Sequence, residues 1–173
     1  MRKTLILSTA FSLLAIPVFG MGGGGGGGYS GGGMSNSDPG YDAYAQALRL
    51  IKAEQFAEAI PYLNVALEKR PKSANILNYE GYTHRMIGDY NASLDYYNRA
   101  LAIDPDHKGV HEYLGELYLQ TKQPEKAQAE LAVLGKLCPD GCDEKETLTA
   151  SIAKYEAANP VAAPAPAAPA TPG

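Results

Sequence analysis

The sequence predicts an all-α array, three helix-turn-helix units stacked in series and closed by a seventh, capping helix. Three observations carry this. Pro71, Pro105 and Pro139 stand 34 residues apart, and the residues before each of them repeat one layout. On that spacing, small and large side chains fall into columns: Ala47, Gly81 and Gly115; Leu50, His84 and Tyr118; Ala59, Ser93 and Ala127; Leu63, Tyr97 and Leu131; Ala66, Ala100 and Leu134. Apolar residues also recur at three- and four-residue intervals through 41–53, 57–69, 74–87, 90–103, 108–121 and 124–137, the signature of six amphipathic helices.

The punctuation between these segments agrees with the periodicity. Gly88-Asp89 breaks the second pair, Pro124 sits where a first helical position tolerates proline, and each repeat proline stops a helix beyond its last carbonyls. A lone helix pair cannot bury its own apolar face, so the units must share a continuous core and end on polar surfaces. The C-terminal end is supplied by 143–158, where Asp143 and Glu146 read as a capping box. Leu148, Ile152 and Tyr155 form its apolar stripe, with Lys145, Thr149 and Lys154 on the wet side. His84 and Ser93 are the polar intrusions in the columns, so the second unit is expected to have the loosest core.

The columns resemble the tetratricopeptide repeat, or TPR, whose unit is a helix, a turn and a helix. The resemblance covers residues 40 to about 139. The third unit is nearest the family pattern, with Leu114-Gly115-x-x-Tyr118, Ala127, Leu131 and Pro139; the first has Ala47 for the glycine and Leu50 for the tyrosine. Both replacements keep the required size. What the resemblance implies is a right-handed α-solenoid with units at 40–73, 74–107 and 108–141, followed by a capping helix over 142–158.

It also implies a concave groove lined by the first helix of each unit. Three columns would face it: Tyr44, Asn78 and Glu112; Leu48, Tyr82 and Glu116; Ile51, Arg85 and Leu119. Such a groove is graded from aromatic and aliphatic at its N-terminal part to acidic at its C-terminal part, which suits a peptide or protein with an apolar end and a basic end. The family's clamp for chaperone C-terminal carboxylates uses lysine, asparagine and arginine on the inner helices. The matching positions here are Tyr44, Leu48, Tyr79, Gly109 and Tyr113, so that clamp is absent.

Outside the array the chain changes character. Residues 1–20 carry Arg2 and Lys3, an apolar run from Leu5 to Phe19 broken by Pro17, and a small residue at Gly20, the layout of a secretory signal peptide. The run is shorter than the ~20 residues of a membrane span, and no cysteine near the cleavage point accepts a lipid. The expectation is a secreted chain, bacterial periplasmic, with no stable membrane insertion after cleavage; an uncleaved anchor is the alternative. Cleavage removes two positive charges, leaving 13 basic against 19 acidic residues and moving the net charge from −4 to −6. That balance excludes nucleic acid and anionic lipid as natural partners.

Residues 21–39 are Gly-rich and read as a flexible lead. They lack the preceding strand, the following helix N-terminus and the Lys-Ser/Thr that a phosphate cradle needs. Residues 159–173 alternate alanine with proline and carry no charged side chain, the composition of a disordered, extended, polyproline-like tail. It reads as a spacer or as a docking segment for a proline-binding partner.

Only two cysteines occur, Cys138 and Cys142, bracketing Pro139-Asp140-Gly141. In a secreted chain such a pair in a turn reads as a disulfide that fixes the angle of the terminal helix. The spacing of three and the proline after Cys138 argue against a redox-active dithiol. His107 and His111 lie about thirty residues earlier, and nothing in the sequence brings them to the cysteines as metal ligands. Glu112 and Glu116 share a helix face, which a solvated acidic surface explains better than an acid-base dyad. With three histidines, no tryptophan and no nucleophile motif, the sequence points away from enzymatic catalysis and calls for no cofactor. It reads as a protein-protein interaction module of the cell envelope, holding a protein or peptide in its groove, with a second copy of itself among the candidates. The alternative is a thiol- or metal-linked accessory protein acting through Cys138 and Cys142.

Overall fold

A computed structural model describes residues 38–160; the signal-like segment, the Gly-rich lead to residue 37 and the Ala/Pro-rich segment from 161 lie outside the described residues. Within them seven α-helices follow one another without a strand. They are α1 (Pro39–Lys52), α2 (Phe56–Lys69), α3 (Ala74–Met86), α4 (Tyr90–Ile103), α5 (Lys108–Gln120), α6 (Pro124–Leu137) and α7 (Asp143–Ala158). Helices α1 and α2, α3 and α4, and α5 and α6 pack as pairs, neighbouring pairs meet through α2–α3 and α4–α5, and α7 lies on both α5 and α6. The result is an all-α solenoid of three stacked helix pairs and a terminal helix, the architecture that the resemblance implies.

Both kinds of turn repeat with the period. Within each pair the chain passes through a left-handed residue, Glu54 (φ 58°), Gly88 (φ 86°) or Lys122 (φ 59°). The following amides of Gln55, Asp89 and Gln123 donate back to the carbonyls of Leu50, His84 and Tyr118 at 2.8–2.9 Å. This is a Schellman closure made three times, and only the second unit uses the glycine that the conformation favours. Between pairs, the residue before each repeat proline, Arg70, Asp104 or Cys138, leaves helical geometry at φ −133°, −132° and −135°. The proline ring disfavours a helical conformation in its predecessor, and at these three junctions the helix stops there, whereas Pro61 is accommodated inside α2.

Most of the column positions are buried, while Leu50, His84, Tyr118 and Leu131 are half-buried. Ala47, Ala59, Leu63, Ala66, Ser93, Tyr97, Ala100, Ala127 and Leu134 have no solvent-exposed surface. Where the family size pattern shifts, neighbouring positions compensate. Tyr97 stands where its counterparts are leucines, and its ring fills the space above Gly81 that any Cβ would occupy. At Gly115 the same vacancy is filled from the next element: a Cβ there would lie 2.6 Å from Leu148 Cδ2 of α7. The small-residue column therefore serves packing within a pair at Gly81 and packing onto the terminal helix at Gly115.

Two expectations are corrected. His84 and Ser93 are not the only polar intrusions in the second unit, because Asn78, Glu80, Thr83 and Arg85 are buried as well. Helix α3 is the cause: it is enclosed by α2, α4 and α5, so even residues outside the repeat columns leave solvent. The Asp143–Glu146 capping box does not form. Cys142, extended at φ −163° and ψ 160°, is the N-cap, and no side chain caps the helix. Gly141, at φ +105°, turns the chain so that Asp143 is already helical. Asp143, Glu144 and Glu146 then act as first-turn carboxylates at the positive end of the helix dipole. The expected stripe is present, with Leu148 and Ile152 buried alongside Leu119, Ala127 and Leu134, and Tyr155 packed against them. Lys145 is half-buried, while Thr149 and Lys154 are exposed.

Candidate functional site

Helices α1, α3 and α5 are the ones expected to line the concave side; α3 packs against α5, and α5 against α7. The face carries a run of aromatic rings. Tyr44 on α1 meets Tyr79 on α3 edge-on with centroids 5.9 Å apart, Phe56 at the start of α2 meets Tyr82 on α3 at 5.8 Å, and Tyr82 meets Tyr113 on α5 at 4.9 Å. Each ring is half-buried.

Arg85 ties this run to the acidic end. Its guanidinium lies 5.4 Å over the Tyr82 ring and 5.8 Å over the Tyr113 ring, and Nη2 pairs with Glu116 Oε2 at 2.7 Å. Glu116 also accepts from Ser151 Oγ of α7 at 3.3 Å. Arg85 is only 5% exposed, so it acts as a clasp that sets the two tyrosines rather than as a free cation. A cleft of about 360 Å³ opens beside it, between Arg85, Glu116 and Leu119 on one side and Lys154, Tyr155 and Asn159 on the other.

The structure sorts the nine sequence-derived groove residues. Tyr82, Arg85 and Glu116 form one connected cluster, and Leu119 borders its cleft while packing into the terminal core. Tyr44 and Ile51 pack along the first-unit core with part of their surface free, and Leu48 is half-buried on the same helix. Asn78 is buried at the α3–α5 seam, its amide 3.3 Å from where a Gly109 Cβ would stand, and offers the groove little surface. Glu112 is half-buried and its carboxyl is pushed up to about 7, first by burial and then by Glu116, Glu144 and Asp143, against the pull of Arg85. Burial likewise holds the Tyr44 and Tyr113 phenols up at about 12, so both rings remain neutral donors.

Phe56, Tyr79, Tyr113, Ser151 and Lys154 join the site without having been assigned to it from sequence. The column Ala45, Tyr79 and Tyr113, one residue past the first groove column, carried the signal for two of them.

The other chemistry-bearing residues are engaged structurally. His107 caps α5, its Nδ1 accepting from the Val110 amide at 3.2 Å while Nε2 meets Asn75 Oδ1 at 2.8 Å. His111 joins Glu130 Oε2 at 2.7 Å and the Pro105 carbonyl at 2.8 Å; the bond to Glu130 raises its pKa above the ordinary value. His84 stacks on Tyr96 with centroids 5.3 Å apart. Cys138 and Cys142, at the end of α6 and the start of α7, have Cα atoms 6.0 Å apart and sulfurs at bonding distance. Among the described residues no group of three or more His, Cys, Asp or Glu side chains is placed to hold a metal ion. No described helix is long and apolar enough to cross a membrane.

Two tetratricopeptide repeat models match the sequence, one over residues 44–108 and one over 88–144. Among solved structures, the Yersinia enterocolitica type III secretion chaperone SycD in complex with a peptide of the translocator YopD is 14% identical, with a TM-score of 0.61 over 70% of this chain and 95% of that one. The first TPR of Spaghetti, bound to an HSP90 peptide, is 15% identical, with a TM-score of 0.61 over 71% of this chain and 94% of that one. A point mutant of MamA is 22% identical, with a TM-score of 0.53 over 59% of this chain and 74% of that one. At these identities the likeness is one of fold. No curated protein matches the chain by sequence.

Proposed function

The chain belongs to the tetratricopeptide repeat family, and from that premise we propose that it is a non-catalytic adaptor of the cell envelope that holds a protein or peptide in its concave groove. The observation that carries the proposal is the Tyr82–Tyr113 pair held by Arg85 and Glu116. Half-buried rings held by their neighbours are rigid contact surfaces that lose little entropy on binding, the property that makes tyrosine frequent at binding hot spots. Glu112 and its acidic neighbours beyond them suit a basic residue on the partner. SycD and Spaghetti, with peptides bound in the solved structures, support a peptide-holding use of this architecture.

The compartment follows from residues 1–20, whose signal-peptide layout sends the chain across the inner membrane to an oxidising space, where the Cys138–Cys142 pair is stable as a disulfide. That bond has a structural role: it spans the junction between α6 and α7, away from the cleft beside Glu116.

Photo-crosslinking tests the reading. A photoreactive residue at Tyr82 should capture a defined partner in the native envelope, while the same residue at Tyr90, exposed on α4, should not. Capture from Tyr90 with none from Tyr82 would move the binding surface to the outer helices.

A further inference from the structure

The groove has a candidate occupant within the same chain. We propose that the Ala/Pro-rich segment 160–173 docks back across the concave face, laying its proline rings on Tyr113 and Tyr82. The proposal deepens the groove reading and rests on it.

Three observations point this way. The first is position. Consecutive helices are antiparallel, so α3, α5 and α7 run in one direction and their C-terminal ends share a rim. Asn159 therefore emerges on the rim that carries Leu119 and Arg85, and itself lines the cleft there. The second is chemistry. The segment has prolines at 160, 164, 166, 169 and 172, separated by alanine, valine and threonine, with no charged side chain. Such a sequence favours the polyproline II helix, whose recognition elsewhere uses shallow grooves lined by aromatic rings rather than deep pockets. Tyr82 and Tyr113, 4.9 Å apart and tilted by 38°, offer such a surface, with the Phe56 ring next along it.

The third is reach. Fourteen residues in polyproline II geometry extend about 43 Å, while neighbouring inner helices lie on the order of 10 Å apart. The segment can cross from α7 over α5 to α3 with length to spare. Tethering supplies an effective concentration in the millimolar range, so even a weak contact keeps the groove substantially occupied. An external partner would then have to displace the segment, and the groove's apparent affinity falls by the fraction of time it is covered.

The test uses the full chain with its native cysteines linked and a spin label at Thr171→Cys. Docking should broaden amide resonances around Tyr82 on α3 and Tyr113 on α5 while sparing α4 and α6. Replacing all five segment prolines by alanine leaves the array untouched and should abolish the broadening. The proposal is overturned by broadening that is absent, spread evenly over the surface, or unchanged in the proline-free variant. Broadening seen only between spin-labelled and isotope-labelled chains in a mixture would also overturn it, since the occupant would then be a second copy. Partner capture from Tyr82 separates the two levels: capture without tail-induced broadening removes only the docked segment, whereas loss of both removes the groove reading as well.

Discussion

Glutamine in place of Glu80 should flatten the pH dependence of stability. Glu80 lies on α3 with no solvent-exposed surface, and its Oε2 is 3.8 Å from His84 Nε2, beyond hydrogen-bonding distance. Burial raises its carboxyl from 4.5 to about 7, with Arg99 on α4 pulling weakly the other way. The unfolded chain thus releases this proton at lower pH than the folded one. Stability is intact below about pH 4.5, falls as pH rises toward 7, and carries the whole loss above that. At 1.36 kcal/mol per pKa unit, and with some screening past the half-buried His84, the loss is on the order of 2–3 kcal/mol. Glutamine keeps the shape and has no proton to lose. In urea titrations, wild type should lose that much more stability than Glu80→Gln between about pH 5 and pH 8. Glu112, raised in the same direction, contributes equally to both proteins and cancels. Parallel curves for the two would refute the buried-acid assignment.

Further outcomes follow from single contacts. Gly115→Leu drives new atoms into Leu148 and should cost roughly 1–3 kcal/mol in thermal unfolding, with part regained in the Gly115→Leu/Leu148→Ala double variant. Glu54→Gly and Lys122→Gly, at left-handed turns, should each stabilise by roughly 0.5–1 kcal/mol in urea denaturation, whereas Gly88→Ala should destabilise. Glu130→Gln removes the partner that raises the His111 pKa; that stabilisation is present below about pH 6.5 and fades as pH rises through the folded value, so the variant should lose about 1 kcal/mol in acid and less at high pH. Replacing Cys138 and Cys142 by serine should remove roughly 2 kcal/mol of loop-closure stabilisation, seen as faster amide exchange across α7 with the first two units unchanged.

The period made the fold legible. Prolines at fixed spacing mark where helices must stop, and small residues in columns mark where backbones must approach, so helix number and order follow from local chemistry. Pairwise compensation is harder to see. Nothing in the sequence says that the vacancy at Gly115 is filled by Leu148 while that at Gly81 is filled by Tyr97, because this depends on which neighbour lies across the gap. Glu80 and Thr83 were missed for a similar reason: they stand outside the core columns and are buried only because α3 is enclosed on three sides. At the groove, the periodic reading picked out Tyr82, Arg85 and Glu116 but not their connection, which needs Tyr113 from the next unit and Ser151 from α7.

The groove itself is tested most directly by titrating an identified partner into three proteins: wild type, Tyr82→Ala, and the Cys138→Ser/Cys142→Ser double variant. If the concave face is the binding surface, Tyr82→Ala should weaken binding about tenfold, roughly 1.4 kcal/mol, with the helical content unchanged, and the cysteine variant should bind like wild type. The opposite pattern, with unchanged binding by Tyr82→Ala and loss of binding in the folded cysteine variant, would place the function at the Cys138–Cys142 junction.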